Sequence, residues 1–227
     1  MPTTLITGAN RGLGYEFARQ YVGNGWRVIA CVRDLAKAGT LTALGNGIEV
    51  RKLDVSDFAA IDSLAKDLAD TPIDVLILNA GHNPQGEAPT AAEVDYAAWP
   101  ETFRVNTMAP MRMAVAFSSH VAASQKKVIA AVSSGGGSVS LARGGNYAYR
   151  STKAALNACM SGLAREYAAR GLIIAMLAPG WVRTDMGGPK APIAPEDSVA
   201  GMRKVISGLT AKDSGRFLKA DGSDYPW

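Results

Sequence analysis

Residues 4–14 read TLITGANRGLG. A short β-branched run passes straight into a loop with three glycines, Gly8, Gly12 and Gly14. The next residues, YEFARQYVGNG, carry helical periodicity up to a closing pair of glycines. Strand, glycine loop and helix in this order suit a pyrophosphate. Glycines allow a tight turn and close backbone approach, and the helix N-terminus offers N–H groups and the positive end of its dipole. The plainer reading is a flexible strand-to-helix turn. The strand before and the helix after are the context that a dinucleotide site requires, and they favour it.

The alternation continues outward from this loop. VIACV, IEVRKLD, IDVLILN, VIAAVSS and LIIAMLAP read as strands, and FLKADG is a candidate last strand. SDFAAIDSLAKDLAD, the stretch from AAEVDY to SSHVAAS, NYAYRSTKAALNACMSGLAREYAAR and APEDSVAGMRKVISGL read as helical, with Pro100 a helix start. Strands that are apolar throughout, separated by helices, predict an α/β fold: a single doubly wound parallel sheet of Rossmann type with helices on both faces. No repeat or Pro/Ser-rich linker divides residues 1–227, so one domain is expected. Ligands in such a fold bind beyond the carboxyl ends of the strands.

Composition narrows the partners. The net charge of +4 is spread along the chain without a basic run, so no nucleic acid is expected. No apolar run reaches the roughly 20 residues of a membrane span. The chain enters TLITG without a secretory leader, and its two cysteines, Cys31 and Cys159, are too few for a disulfide framework. A cytoplasmic protein with reduced thiols is the expectation. Neither His82 nor His120 has metal-ligand spacing around it, so no metal is expected.

The second strand identifies the cofactor. An acidic residue at its end would bind the ribose hydroxyls of NAD, whereas arginine accommodates the extra phosphate of NADP. VIACV is followed by Arg33, with Asp34 one position later, and Arg11 in the glycine loop is a second cation. Two guanidiniums can grip a phosphate bidentately, although solvated surface arginines are the plainer alternative. NADP (NADPH) is predicted.

The stretch NYAYRSTK, residues 146–153, holds the chemistry. Tyr149 and Lys153 stand at i and i+4 and share a helix face. Tyr147 has Arg150 at i+3, so spacing alone favours Tyr149 only modestly. Hydride transfer to a carbonyl needs a proton donor at the developing alkoxide. A tyrosine beside an ammonium would have its pKa lowered from about 10. Ser133 and Ser134 end the strand VIAAV, and alternation points them to opposite sides.

T-G-x-x-x-G-x-G in TGANRGLG, Y-x-x-x-K in YRSTK, LNAG, the V-N of FRVNTM and P-G-x-V-x-T in PGWVRT together resemble the short-chain dehydrogenase/reductase family. The likeness runs from Thr7 to the FLKADGSDYPW tail and is nearest to the Sniffer and C-factor carbonyl-reductase branch. It implies Tyr149 as general acid, Lys153 as its electrostatic partner and Ser134 as the serine on the substrate carbonyl, since Gly137 follows it. Tyr149 comes 15 residues after Ser134, longer than the family's usual spacing. Asn106 would hold a water for proton relay.

The resemblance also implies the cofactor contacts. These are Gly8, Asn10, Arg11, Gly12, Leu13 and Gly14 in the glycine loop, Arg33 after the second strand, Asp54 near the adenine with Val55 beside it, and Ala80 and Gly81 with Asn79 as support. Pro179, Gly180, Val182 and Thr184 would lie at the nicotinamide, with Tyr149 and Lys153 contacting the cofactor as well. The implied function is an NADPH-dependent reductase of a small-molecule carbonyl (aldehyde, ketone or quinone). The rivals are an alcohol, sugar or steroid dehydrogenase and an NADP-binding signalling protein. A short stretch after PGWV suggests an open site, with His82, Trp181 and Met186 as possible walls. A homodimer or homotetramer is expected through the helices carrying Asn106 and Tyr149.

Overall fold

The computed structural model describes residues 1–84 and 90–227. Seven strands form one sheet: β1 Thr3–Thr7, β2 Arg27–Val32, β3 Ile48–Lys52, β4 Val75–Leu78, β5 Val128–Val132, β6 Ile173–Ala178 and β7 Phe217–Lys219. Their order is β3-β2-β1-β4-β5-β6-β7, every neighbouring pair parallel. The chain reverses its direction across the sheet between β1 and β4, where such a fold opens a crevice for ligands.

The helices are α1 Gly12–Gly23, α2 Gly39–Thr42, α3 Phe58–Asp67, α4 Trp99–Phe103, α5 Ala109–Ala116, α6 Ser118–Ala122, α7 Tyr147–Glu166 and α8 Pro195–Gly208. Alternate strand residues feed two cores. Leu5, Leu76, Ile129 and Ile174 pack with Ile61 of α3, Met113 of α5 and Met160 of α7. Ile6, Ile77, Ala130 and Leu177 pack with Phe17 of α1 and Met202 of α8. Burial on both faces is why β4, β5 and β6 are apolar throughout. Among the described residues no helix is long and apolar enough to cross a membrane.

The helical stretch from residue 91 is broken rather than continuous. Pro100 lies in the first turn of α4, and residues Arg104–Met108 form a π turn leading into α5. Pro110, in the first turn of α5, has no N–H to donate to the Asn106 carbonyl four residues back, which favours the wider turn. After β7 the chain folds back on itself. Lys219 N–H donates to the Ser223 carbonyl and Tyr225 N–H to that of Phe217.

Candidate active site

The cleft floor is built from the β1 and β4 ends. The Asn79 Nδ2 group donates to the Thr7 and Gly8 carbonyls at 3.0 and 3.2 Å, and the Thr7 hydroxyl accepts the N–H groups of Asn79 and Ala80, both at 3.0 Å. A Cβ on Gly14 would lie 2.2 Å from the Gly8 carbonyl oxygen, so α1 starts directly against the strand end. Gly8 turns at φ +65°, in the left-handed region open to glycine. Arg11, at the N-cap of α1, supplies no side-chain cap, and the first turn carries no acidic residue. The first N–H groups of the helix therefore keep their donors and dipole for an anion. These features fit a dinucleotide pyrophosphate. Asn10 and Leu13, between these groups, are half-buried.

Arg33 is exposed just past β2. Asp54, beyond β3, accepts the N–H and hydroxyl of Ser56 at 2.9 and 2.8 Å, and Val55 packs against the core. Arg11 has a partner that its sequence neighbours do not reveal. Its Nη1 lies 2.7 Å from Asp185 Oδ2, with both side chains largely exposed. The same segment brings Thr184 against the glycine loop, where a Cβ on Gly12 would meet its Cγ2 at 3.4 Å.

That segment, the loop after β6, is short and closed on itself. Pro179 is buried and its carbonyl accepts the Ser198 hydroxyl at 2.7 Å, while Gly180 turns at φ +84°. Val182 forms a bridge with Ile193, and Trp181 Nε1 donates to the Gly187 carbonyl. The side chains of Trp181 and Met186 stay about half exposed beside it, at 51% and 50%.

The end of β5 separates the two serines. Ser133 is buried and donates to Asn157 Oδ1 at 2.6 Å, a structural bond inside the fold. Ser134 points the other way, toward Tyr149, close enough for its hydroxyl to favour the tyrosinate, while its Oγ accepts the Gly136 N–H at 3.0 Å. Tyr147 is exposed on the neighbouring face of α7. The long connection from Ser134 to Tyr149 is absorbed by the Gly135–Gly137 turn and the loop after it.

Lys153 lies beneath this pair, only 4% exposed, with Nζ donating to the Val132 carbonyl at 2.9 Å and lying 5.8 Å from the Tyr149 ring centroid. Burial lowers its pKa to about 8. The expected lowering of the Tyr149 pKa by this ammonium is not what the structure shows. Desolvation raises the phenol above its ordinary 10, with the Ser134 hydroxyl acting the other way. The lysine is tied to a strand carbonyl, and burial outweighs it.

Asn106 is fully buried. Its Oδ1 accepts the His82 N–H at 2.7 Å, and its Nδ2 donates to the His82 carbonyl and the Thr152 hydroxyl at 2.8 and 3.1 Å. Thr107 secures the same region by donating to the Thr152 carbonyl at 2.8 Å. Asn106 thus joins the loop after β4 to the helix of Tyr149. His82 enters through its backbone rather than its ring. A Cβ on Gly81 would lie 3.7 Å from Asn106 Oδ1 and 3.9 Å from Lys153 Nζ, so the three meet at one point of the cleft. Thr107 and Thr152 have a signal in the sequence only as polar residues on otherwise apolar helix faces.

Comparison with known proteins agrees with this geometry. Residues 2–192 match the short chain dehydrogenase family. The C-signal protein of Myxococcus xanthus is 39% identical over 166 residues, covering 73% of this chain and 99% of that one. Among solved structures, the carbonyl reductase Sniffer of D. melanogaster superposes with a TM-score of 0.92 at 30% identity, covering 100% of both chains. The NADPH-bound carbonyl reductase from chicken fatty liver gives 0.89 at 30% identity, covering 100% of this chain and 99% of that one. Fold, cleft and matched length together place this chain in the short-chain dehydrogenase family of NAD(P)-dependent oxidoreductases.

Proposed function

We propose that residues 1–227 act as one NADP-binding domain that reduces aldehydes, ketones or quinones, with Tyr149 as general acid. The observation that carries this is the hydroxyl pair of Ser134 and Tyr149 at the end of β5, with the Lys153 ammonium beneath it. Two hydroxyls converging there can both donate to one carbonyl oxygen.

Bound NADPH supplies the hydride. The glycine loop and the start of α1 would hold its pyrophosphate, and Arg33 with Arg11 its extra phosphate, once Arg11 leaves Asp185. Ala80, Gly81 and the Pro179–Thr184 loop would line the nicotinamide half. Ser134 and Tyr149 orient the carbonyl, and Tyr149 passes its proton to the developing alkoxide. Charged Lys153 stabilises the tyrosinate that remains. A phenol whose pKa is raised keeps its proton at neutral pH, which suits reduction.

The lysine sets an alkaline limit. Its pKa is lowered to about 8, so the cation is lost as pH rises through that value. The expected result is a kcat/KM for reduction that is flat below this point and falls about tenfold per pH unit above it, since kcat/KM reports free-enzyme groups. A profile flat to pH 10 contradicts the assignment.

NADPH consumption over a panel of aldehydes, ketones and quinones tests the function itself. Equal efficiency with NADH overturns the cofactor preference. The likeness to a protein named C-signal favours one second reading, an NADP-binding signalling protein. Tight NADPH binding without turnover of any panel member would support it.

The chain is also proposed to pair through α5 and α7. Met108, in the π turn before α5, and Val115 are 49% and 36% exposed there, and Met111 and Cys159 are half-buried. Light scattering is expected to give a dimeric or tetrameric mass, and a monomeric mass overturns it.

A further inference from the structure

The turn Gly135–Gly137 lies between two elements. One side rests on α7. A Cβ on Gly137 would come 3.0 Å from the Lys153 backbone, and one on Gly136 would come 3.8 Å from the Tyr149 ring. The other side is covered by the segment after β7. A Cβ on Gly135 would lie 2.3 Å from the Tyr225 hydroxyl, so the phenol fits only because the turn has no side chain there. Trp227 crosses the continuation of the loop. Its carbonyl oxygen accepts the Ser140 N–H at 2.6 Å and the Ser138 hydroxyl at 3.4 Å.

This covering segment is itself anchored in the sheet. Tyr225 N–H donates to the carbonyl of buried Phe217 at 2.8 Å, and the two rings stack with centroids 4.8 Å apart. The Trp227 ring meets Phe217 edge-on at 6.1 Å. The sheet edge is thereby connected to the loop that carries Ser134. The link to the serine is specific, because Gly136, in the middle of the clamped turn, donates the N–H that holds Ser134 Oγ.

We infer that Tyr225 and Trp227 are positioning residues that clamp the Gly135–Gly137 turn and so aim Ser134 at the substrate carbonyl. The catalytic half of this inference rests on the carbonyl-reductase reading, while the clamp itself does not. The segment acts from outside the cleft, through the turn.

The test combines hydrogen exchange with a double-mutant cycle on the full chain. In Tyr225→Ala the amides of Gly136–Leu141 are expected to exchange about tenfold faster, with those in the middle of α7 unchanged. kcat is expected to fall about tenfold, with the NADPH dissociation constant within twofold of wild type. In a Ser134→Ala background, Tyr225→Ala should change kcat less than twofold, because the group it positions is gone. Tyr225→Phe, which keeps the ring stack, should recover most of the loss.

Equal fold losses in both backgrounds would show that the segment acts on the fold or on binding rather than through Ser134, and would overturn the inference. So would unchanged exchange in the loop. Should Tyr225→Ala fail to fold, Gly135→Ala presses on the same hydroxyl from the turn side, with the same expected pattern. Should the wild type reduce no carbonyl, the reductase reading falls, and the exchange measurement alone decides the clamp.

Discussion

Tyr149→Phe is expected to lower kcat for carbonyl reduction by about a hundredfold to ten thousandfold, the range supplied by a positioned general acid. The substitution keeps the ring and its packing on α7 and removes one oxygen. Ser134 retains the Gly136 N–H, so the neighbouring turn keeps its shape. NADPH affinity should stay within about threefold, because the glycine loop and the arginines are untouched. Folding stability should fall by no more than about 1 kcal/mol, the net value of one hydrogen bond. Tyr147→Phe is the matched control. That hydroxyl sits on the exposed side of α7, and its loss should leave kcat within about twofold. Steady-state rates with a panel ketone, alongside NADPH fluorescence titration, separate the two tyrosines. A Tyr149→Phe enzyme keeping more than a tenth of its rate contradicts the assignment, as does an equally damaged Tyr147→Phe.

This contrast marks how far local pattern reaches. The parallel sheet was legible because its strands are buried on both faces, and that constraint writes itself into consecutive residues such as VLIL and VIAAV. The glycine loop was legible for a similar reason, since only glycine fits between α1 and the end of β1. Tyr149 and Lys153 were legible as a pair one helical turn apart. Whether Ser133 or Ser134 faces them depends on Asn157, which takes the Ser133 hydroxyl from 24 residues away. Alternation says that the two serines differ, but not which side is wet.

Interactions between distant segments were the hidden part. Arg11 reads as a free cation for phosphate, yet in the structure it pairs with Asp185, 174 residues later. Any phosphate must compete with that carboxylate, though an exposed pair of this kind is worth only about 0–1 kcal/mol. Asn106 is visible in the sequence, but the partners of its side-chain amide, the His82 backbone and Thr152, are not. The partners themselves come from the loop after β4 and from α7. The expected depression of the Tyr149 pKa likewise misjudged burial, which no i,i+4 spacing reports.

The glycine loop carries the other large expected effect. Gly14→Ala places a methyl group 2.2 Å from the Gly8 carbonyl oxygen and 2.6 Å from Asn79 Nδ2. Both neighbours belong to the clamp between β1 and β4, so neither can give way without loosening the cleft floor. The alternative is for α1 to shift outward, which carries the N–H groups of Gly12 and Leu13 away from the pyrophosphate position. Overpacking of this kind costs about 1–3 kcal/mol. For a chain of this size that corresponds to a Tm lower by roughly 3–10 °C. NADPH binding should suffer more, weakening by at least about a hundredfold, because the anion site is made of those helix N–H groups and their dipole. Gly23→Ala, at the other end of α1, is the control: a Cβ there meets nothing within 4 Å. It should bind NADPH normally and match or slightly exceed the wild-type Tm, as alanine favours the helix. Thermal melts and NADPH titrations of both variants test the argument. A Gly14→Ala protein that binds NADPH within threefold of wild type would mean that α1 does not present the pyrophosphate site.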